Sequence, residues 1–120
     1  MNRTSTQTAC LLAVILQRSG NTRARVSAKT IRILSKRTQL RSAFIVELIA
    51  VLADRYDWIL FELAVGGYGA VKASTLEAAR PVTAKRLLTD DERQALRRKN
   101  ASFDQFEEEV APEHDQPEDE

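Results

Sequence analysis

The apolar pattern of this 120-residue chain changes its period near residue 57. Upstream, apolar residues recur every three or four positions, which predicts a helix that Thr38 caps and that runs to about Arg55. Downstream, "WILFELAV" alternates with a period of two, and the glycines of "GGYG" accept the positive φ of a hairpin tip. "AVKAS" returns as a second strand with Val71 facing inward, and Trp58 and Phe61 are expected to be core anchors. Because two strands alone are marginally stable, we expect this hairpin to lie against the helices.

Two further helices are predicted ahead of this one. The stretch from Thr4 to Arg18 carries an apolar stripe, and the Ser-Gly-Asn that follows is typical of a helix end. The next helix is predicted from Ala28 to Lys36, with Ser27 as its N-cap. Between the two, residues 22–26 are predicted to be a short extended link with Val26 facing inward.

Charge is distributed unevenly along the chain. The net charge is only +1, yet residues 1–46 contain no Asp or Glu, and residues 1–99 hold all 18 Lys and Arg beside eight acids. A soluble domain ordinarily mixes both signs on its surface, so this imbalance indicates a polyanionic partner. The alternative is a merely solvated helix face. The predicted basic ridge on the second helix comprises Arg25, Lys29, Arg32 and Lys36.

The C-terminal region differs in composition from the rest. "TDDE" at Thr89 to Glu92 is a capping box that predicts a last helix over "DERQALRRKN". An alternative is that this helix continues through Phe103 and Phe106. Residues 100–120 carry nine acids and no Lys or Arg, and beyond Val110 the acidic tail is expected to be disordered. This tail is either a solubilising extension or a competitor that covers the basic surface when nucleic acid is absent. The predicted division is a domain of residues 1–80, a linker and C-terminal helix over 81–102, and the tail over 103–120.

The predicted order of elements is helix, basic helix, short turn, helix and glycine-tipped hairpin. Over roughly residues 5–75 this order resembles the winged helix-turn-helix superfamily, so the expected fold is mainly α with a β-hairpin. The resemblance implies that the helix after the turn enters the major groove of double-stranded DNA, and that the hairpin, or wing, touches the backbone or minor groove. It also implies groove-facing side chains at Gln39, Ser42, Ala43 and Val46 flanked by Thr38 and Arg41, wing contacts from Tyr68 and Lys72, and phosphate contacts from Arg23, Arg25, Lys29, Arg32, Lys36 and Arg37.

The function expected from this resemblance is that of a small DNA-binding protein. It would act as a transcription regulator or as an accessory subunit of a nucleoprotein complex, and a homodimer would read two half-sites. Glu47 and Asp54 on the third helix would repel phosphate, however. The alternative is therefore a protein-interaction adaptor of the same fold, whose third helix and hairpin bind a partner protein. A third interpretation is an inhibitor or assembly factor whose acidic tail imitates nucleic acid.

Other functional classes lack the residues that they need. His114 is the only histidine and lies in the tail, so no Ser-His, Cys-His or metal-histidine site is expected, and neither an enzyme nor a cofactor is predicted. Cys10 is the only cysteine and indicates a reducing compartment. The runs "ACLLAVIL" and "AFIVELIAVLA" are short for a membrane span, and no cleavage pattern follows the first. We expect a cytoplasmic protein with no membrane contact and no small-molecule ligand.

Overall fold

The computed structural model describes residues 1–112 and has two compact units, the first spanning Met1–Ala79 and the second beginning at Arg80. The first unit is mainly helical with a small antiparallel sheet, which confirms the expected mainly α class with a β-hairpin. Within the described residues, no helix combines the length and the apolar character that crossing a bilayer requires. The elements of the first unit are α1 (Ser5–Ser19), β1 (Arg23–Val26), α2 (Ala28–Ser35), α3 (Ser42–Tyr56), β2 (Trp58–Glu62), β3 (Tyr68–Lys72) and α4 (Ser74–Glu77).

Local sequence signals explain where α1 and α2 begin and end. Thr4 and Gln7 form a capping box, in which each side chain accepts a hydrogen bond from the backbone N–H of the other. Gly20 ends α1 at φ 76°, a left-handed conformation that glycine adopts without strain. Ser27 caps α2 by accepting from the backbone N–H of Thr30 at 3.1 Å. Both helices therefore lie within one residue of their predicted bounds.

The turn between α2 and α3 is longer than predicted. α2 ends at Lys36, whose left-handed φ of 57° and hydrogen bonds to the last carbonyls of the helix redirect the chain. α3 begins only at Ser42, with Arg41 at the N-cap position, so the prediction that Thr38 caps this helix is wrong. Gln39 consequently lies in the turn and not on α3, which corrects its predicted place on a groove-facing helix.

The sheet contains three strands and not only the two of the predicted hairpin. Residues Arg23–Val26, expected to be an extended link, form β1 and pair with β3. The strand order is β1-β3-β2, and both pairings are antiparallel. The third strand forms because a hairpin leaves the backbone groups on its outer edges unpaired, and β1 satisfies those of β3.

One face of the sheet packs on the helices. Trp58, Tyr68 and Ala70 are buried on this face, so the prediction that Val71 faces inward is wrong by one position. A period of two determines which residues share a face but not which face is buried. Here the face with Trp58 and Tyr68 removes more apolar area from water, and it is the one that the helices cover.

The first three helices and the sheet share one hydrophobic core. Leu12 of α1, Ile31 of α2, and Leu48 and Leu52 of α3 are all 0% exposed. Burying such a side chain contributes roughly 1.5–3 kcal/mol. Because α2 has only eight residues, this packing and not helix propensity keeps it folded.

The second unit contains three short helices: α5 (Ala84–Leu87), α6 (Asp90–Leu96) and α7 (Asp104–Glu109). The predicted capping box is present at the start of α6, where Thr89 and Glu92 each bond the backbone N–H of the other. In residues 80–112 no side chain is fully buried.

α7 lies at the start of the predicted acidic tail, in the part into which the last predicted helix could continue, but it is a separate helix because α6 ends at Leu96. The apolar side chains of this segment, Phe103, Phe106 and Val110, border a common depression with Leu88 and Leu96. Residues 113–120, which complete the predicted tail and include His114, lie outside the described residues.

Candidate nucleic-acid interface

The exposed side of α2 carries three cations. Lys29, Arg32 and Lys36 are exposed, three and four residues apart, and none pairs with a carboxylate among residues 1–112. We call these three residues the α2 ridge. Arg25, which the sequence pattern assigned to the ridge, lies on β1 instead. Unpaired cations along one side of a helix produce a positive potential that attracts polyanions.

The tip of the hairpin lies beside the N-terminus of α2. Gly67, at φ 77°, comes so close that a Cβ atom there would be 3.3 Å from the carbonyl oxygen of Val26. Arg25, Ser27 and the backbone of Gly66 border an open cleft of about 480 Å³ at this place. The helix N-terminus and the guanidinium group both favour a negative group in the cleft. The tip itself, residues 63–67, has no Lys or Arg and offers only backbone donors.

Arg37, predicted to be a phosphate contact, also makes contacts within the protein. Its Cζ lies 3.9 Å from the ring centroid of Phe44, and its Nη2 donates to the backbone carbonyl of Arg3 at 2.9 Å. Arg3 in turn donates to the carbonyls of Leu34 and Ser35 at the end of α2. The half-buried Arg37 therefore joins the start of the chain to the turn, and it also borders an open depression with Arg41 and Glu47. Because its guanidinium already has partners within the protein, we expect it to contribute less to a phosphate contact than the sequence predicted.

Of the two predicted wing contacts, Tyr68 has a position that differs from the prediction. Tyr68 is only 8% exposed and lies on the covered face of the sheet, where burial and then the nearby Glu62 carboxylate raise the pKa of its phenol. Lys72 is at the opposite end of β3 from the tip, with its Nζ 5.8 Å from the ring centroid of Trp58. Lys72 therefore lies behind the tip, as predicted, whereas the side chain of Tyr68 is buried on the covered face.

The outward face of α3 has small and acidic side chains. Ser42 and Ala43 are exposed in its first turn, and Val46 follows with 66% of its surface exposed. Glu47 is exposed next to them, and its carboxylate accepts a hydrogen bond from the hydroxyl of Ser5 at 3.2 Å. Between residues 42 and 54 the helix has no Lys or Arg. This face can make van der Waals contacts, but it has few donors with which to read bases.

The turn before α3 supplies the polar groups that the helix lacks. Thr38, Gln39 and Arg41 are all exposed there. Arg41 borders a depression of about 370 Å³ at the start of α3 together with Ala43 and Glu47. Arg41 is therefore the exposed cation nearest in sequence to the start of α3.

The uncovered face of the sheet carries an aromatic ring whose position was predicted incorrectly. Phe61 was expected in the core, but it is 42% exposed. Trp58 and Phe61 are three positions apart on one strand, so they must point to opposite faces, and the period of two could have shown this. Arg23 and Arg25 lie on the same face as Phe61, since the register pairs them with Val71 and Gly69 of β3.

Acidic, cysteine and histidine side chains do not gather into a metal-binding group of three or more anywhere in residues 1–112.

Comparison with known proteins gives no match: no family model, no curated protein and no solved structure is significantly similar to this chain.

Proposed function

We propose that residues 5–75 form a winged helix-turn-helix domain that binds double-stranded DNA through its phosphate backbone. The order of elements supports this, because a strand follows α1, two helices joined by a turn come next, and a hairpin completes a sheet of order β1-β3-β2. The protein would serve as a regulator or as an accessory subunit of a nucleoprotein complex.

The observation that carries the proposal is the positive surface that α2 presents. Its three ridge cations are exposed and unpaired within the described residues, and its N-terminus lies in a cleft with Arg25 and the hairpin tip. A phosphate chain that follows the ridge would meet side-chain cations first and backbone N–H groups at the cleft.

The composition of α3 argues for weak sequence selectivity. Phosphate contacts give affinity and register, whereas selectivity needs hydrogen bonds or apolar contacts to base edges. Among the residues predicted to face the groove, Ala43 and Val46 can meet a thymine methyl group, and Gln39 can reach a base only from the turn. We therefore expect that duplexes of different base sequence bind with similar affinities at a given salt concentration.

A salt titration with matched charge variants tests the proposal. Binding of a labelled random duplex is followed by fluorescence anisotropy for the wild type and for the triple variant K29A/R32A/K36A. Each lost phosphate contact lowers the slope of log affinity against log salt by about 0.9, so the ridge variant should lose a slope of about 2.7. The control variant R80A/K85A/R86A removes the same charge from exposed positions of the second unit and should keep the wild-type slope.

Equal slopes for the wild type and the ridge variant would contradict the proposal. Equal losses in both triple variants would mean that net charge alone, and not the α2 surface, governs binding.

The alternative of a protein-interaction adaptor is favoured by one observation, the exposed apolar and acidic face of α3. Val46 is 66% exposed beside Glu47, and such a pair suits a protein surface better than a phosphate backbone. V46R separates the two functions. If α3 lies in a DNA groove, the added cation changes duplex affinity and salt slope. If α3 binds a protein partner, the duplex titration of V46R matches the wild type.

A further inference from the structure

The uncovered face of the sheet presents two parallel rows of side chains. The register places Arg25 opposite Gly69 and Gly69 opposite Phe61, so that these residues form one row across the three strands. The neighbouring row on the same face consists of Arg23, Val71 and Ile59. Both rows therefore have an arginine at the β1 edge and an apolar side chain at the β2 edge.

Gly69 determines where the Phe61 ring lies. A Cβ atom added to this glycine would be 2.7 Å from Cζ and 2.9 Å from Cε2 of Phe61, so the ring occupies the space above β3 that a side chain would need. The ring leans across the middle strand toward β1, while 42% of Phe61 is exposed. Phe61, Arg23 and Arg25 border a single shallow groove of about 470 Å³.

The charge on this face has one sign. The outward positions of the three strands include two arginines and no acid, and the hairpin loop of residues 63–67 also has none. Neither arginine forms an ion pair with a carboxylate among residues 1–112. A ligand complementary to this face has negative charge on one side and a flat apolar group on the other.

We propose that this face binds single-stranded nucleic acid, with a base stacked on Phe61 and adjacent phosphates held by Arg23 and Arg25. An unpaired base supplies the flat apolar group, and its backbone supplies the negative charge. Neighbouring strands lie about 4.8 Å apart, so the Cα atoms of Arg25 and Phe61, which are separated by one strand, are roughly 10 Å apart. The two arginines lie two positions apart on β1, so their Cα atoms are about 6.6 Å apart, a spacing suited to successive phosphates of an extended nucleic-acid strand.

This site differs from the proposed duplex surface in the group that it recognises. Bases in a duplex are stacked on one another, so their faces are not available to a protein ring, and duplex binding depends on phosphates and groove edges. A change that removes only the ring should therefore affect single strands and spare duplex DNA. The site can fail while the duplex proposal holds, and the reverse is also true.

The test measures anisotropy of a fluorescein-labelled oligothymidylate of about 12 nucleotides, within the usual site size of such proteins. F61L keeps an apolar side chain but removes the stacking plane, and it should weaken binding by about 5- to 100-fold. F61Y retains the plane and should bind within about 2-fold of the wild type. The control F103L changes a similarly exposed phenylalanine of the second unit and should leave binding unchanged. R23A/R25A should lower the salt slope by about 1.4.

Thermal unfolding of each variant checks that the sheet remains folded, and random duplex serves as the second ligand. The proposal stands if F61L loses affinity for the oligothymidylate, keeps its affinity for duplex, and F61Y restores binding. It is overturned if F61L binds the single strand as the wild type does, or if it loses single-strand and duplex affinity equally. It is also overturned if the wild type does not bind the single strand while an acidic phenylalanine-containing peptide binds in a Phe61-dependent way.

Discussion

Arg37→Ala is expected to lower the melting temperature of the first unit without changing the salt dependence of the proposed duplex binding. Arg37 stacks on Phe44, and its Nη2 donates to the carbonyl oxygen of Arg3 at 2.9 Å. The backbone N–H of Arg3 then donates to the carbonyl of Ser35 at 2.8 Å. The substitution therefore releases the first residues of the chain from the end of α2, on the side of the molecule where the turn begins.

The expected loss of stability is the sum of two stabilising contributions of Arg37 minus one destabilising contribution. A hydrogen bond from a charged donor contributes about 1.5–3 kcal/mol, and a cation–π contact about 0.5–2 kcal/mol. Against these, Nε of Arg37 is buried and has no acceptor among residues 1–112, which costs roughly 1–3 kcal/mol of desolvation that alanine relieves. The net loss is about 1.5 kcal/mol, which corresponds to a fall of roughly 6–12 °C in melting temperature for a unit of this size.

The assay compares Arg37→Ala with Arg41→Ala in the same turn. Arg41 is exposed, and its side chain makes no hydrogen bond within residues 1–112, so its removal should shift the melting temperature by about 4 °C or less. In the duplex salt titration we expect the opposite ranking, with the larger effect from Arg41→Ala. Arg41→Ala should lower the slope by about 0.9, and Arg37→Ala should leave it at the wild-type value.

Two results would refute this reasoning. One is a melting temperature of Arg37→Ala that stays within about 2 °C of the wild type, since the stacking and the hydrogen bond would then contribute nothing. The other is a loss of salt slope in Arg37→Ala as large as that in Arg41→Ala, because the guanidinium would then be a phosphate contact as the sequence suggested.

Three further predictions concern stability and charge. Ser27→Ala removes the N-cap of α2 and should cost about 1 kcal/mol in chemical denaturation, whereas Ser27→Thr should keep most of it. Burial, and then the Glu62 carboxylate, raise the pKa of Tyr68, so the folded state favours the neutral phenol. This contribution to stability is complete below the unfolded pKa of about 10 and is lost as the pH rises further. The denaturant concentration at the unfolding midpoint should therefore decrease as the pH is raised beyond about 10, and this decrease should be smaller in Tyr68→Phe. Removing residues 103–120 takes away nine acids and raises the net charge from +1 to +10, so affinity for random duplex at fixed salt should increase; an unchanged affinity would exclude the tail as a competitor.

The beginnings and ends of several helices follow from local sequence. The capping boxes at Thr4 and Thr89, the N-cap at Ser27 and the stop at Gly20 each act through hydrogen bonds or dihedral angles within a few residues. Such signals operate in any surroundings, so they could be identified without the structure. The start of α3 could not be identified in this way. Thr38 is a favoured N-cap residue, yet Arg41 occupies the N-cap position without a side-chain hydrogen bond, and the helix begins at Ser42 after the left-handed turn at Lys36.

The candidate site was predicted only in part for a related reason. The ridge cations Lys29, Arg32 and Lys36 are exposed as expected, since helical spacing alone places them on one side. Arg37 could not be distinguished from them, because its partners Phe44 and Arg3 are determined by the packing of distant segments.

By itself, the sequence determined α1, α2, the start of α6, the glycine-tipped hairpin and the separation of basic and acidic regions along the chain. Tertiary structure decided that residues 23–26 become a third strand, that Trp58 is buried while Phe61 is exposed, and that Arg25 lies beside a ring and not on a helix. The physical reason is the range of the interactions. Caps, turns and periodicity depend on neighbours in the chain, whereas strand pairing and the choice of a buried face depend on contacts between residues far apart in sequence.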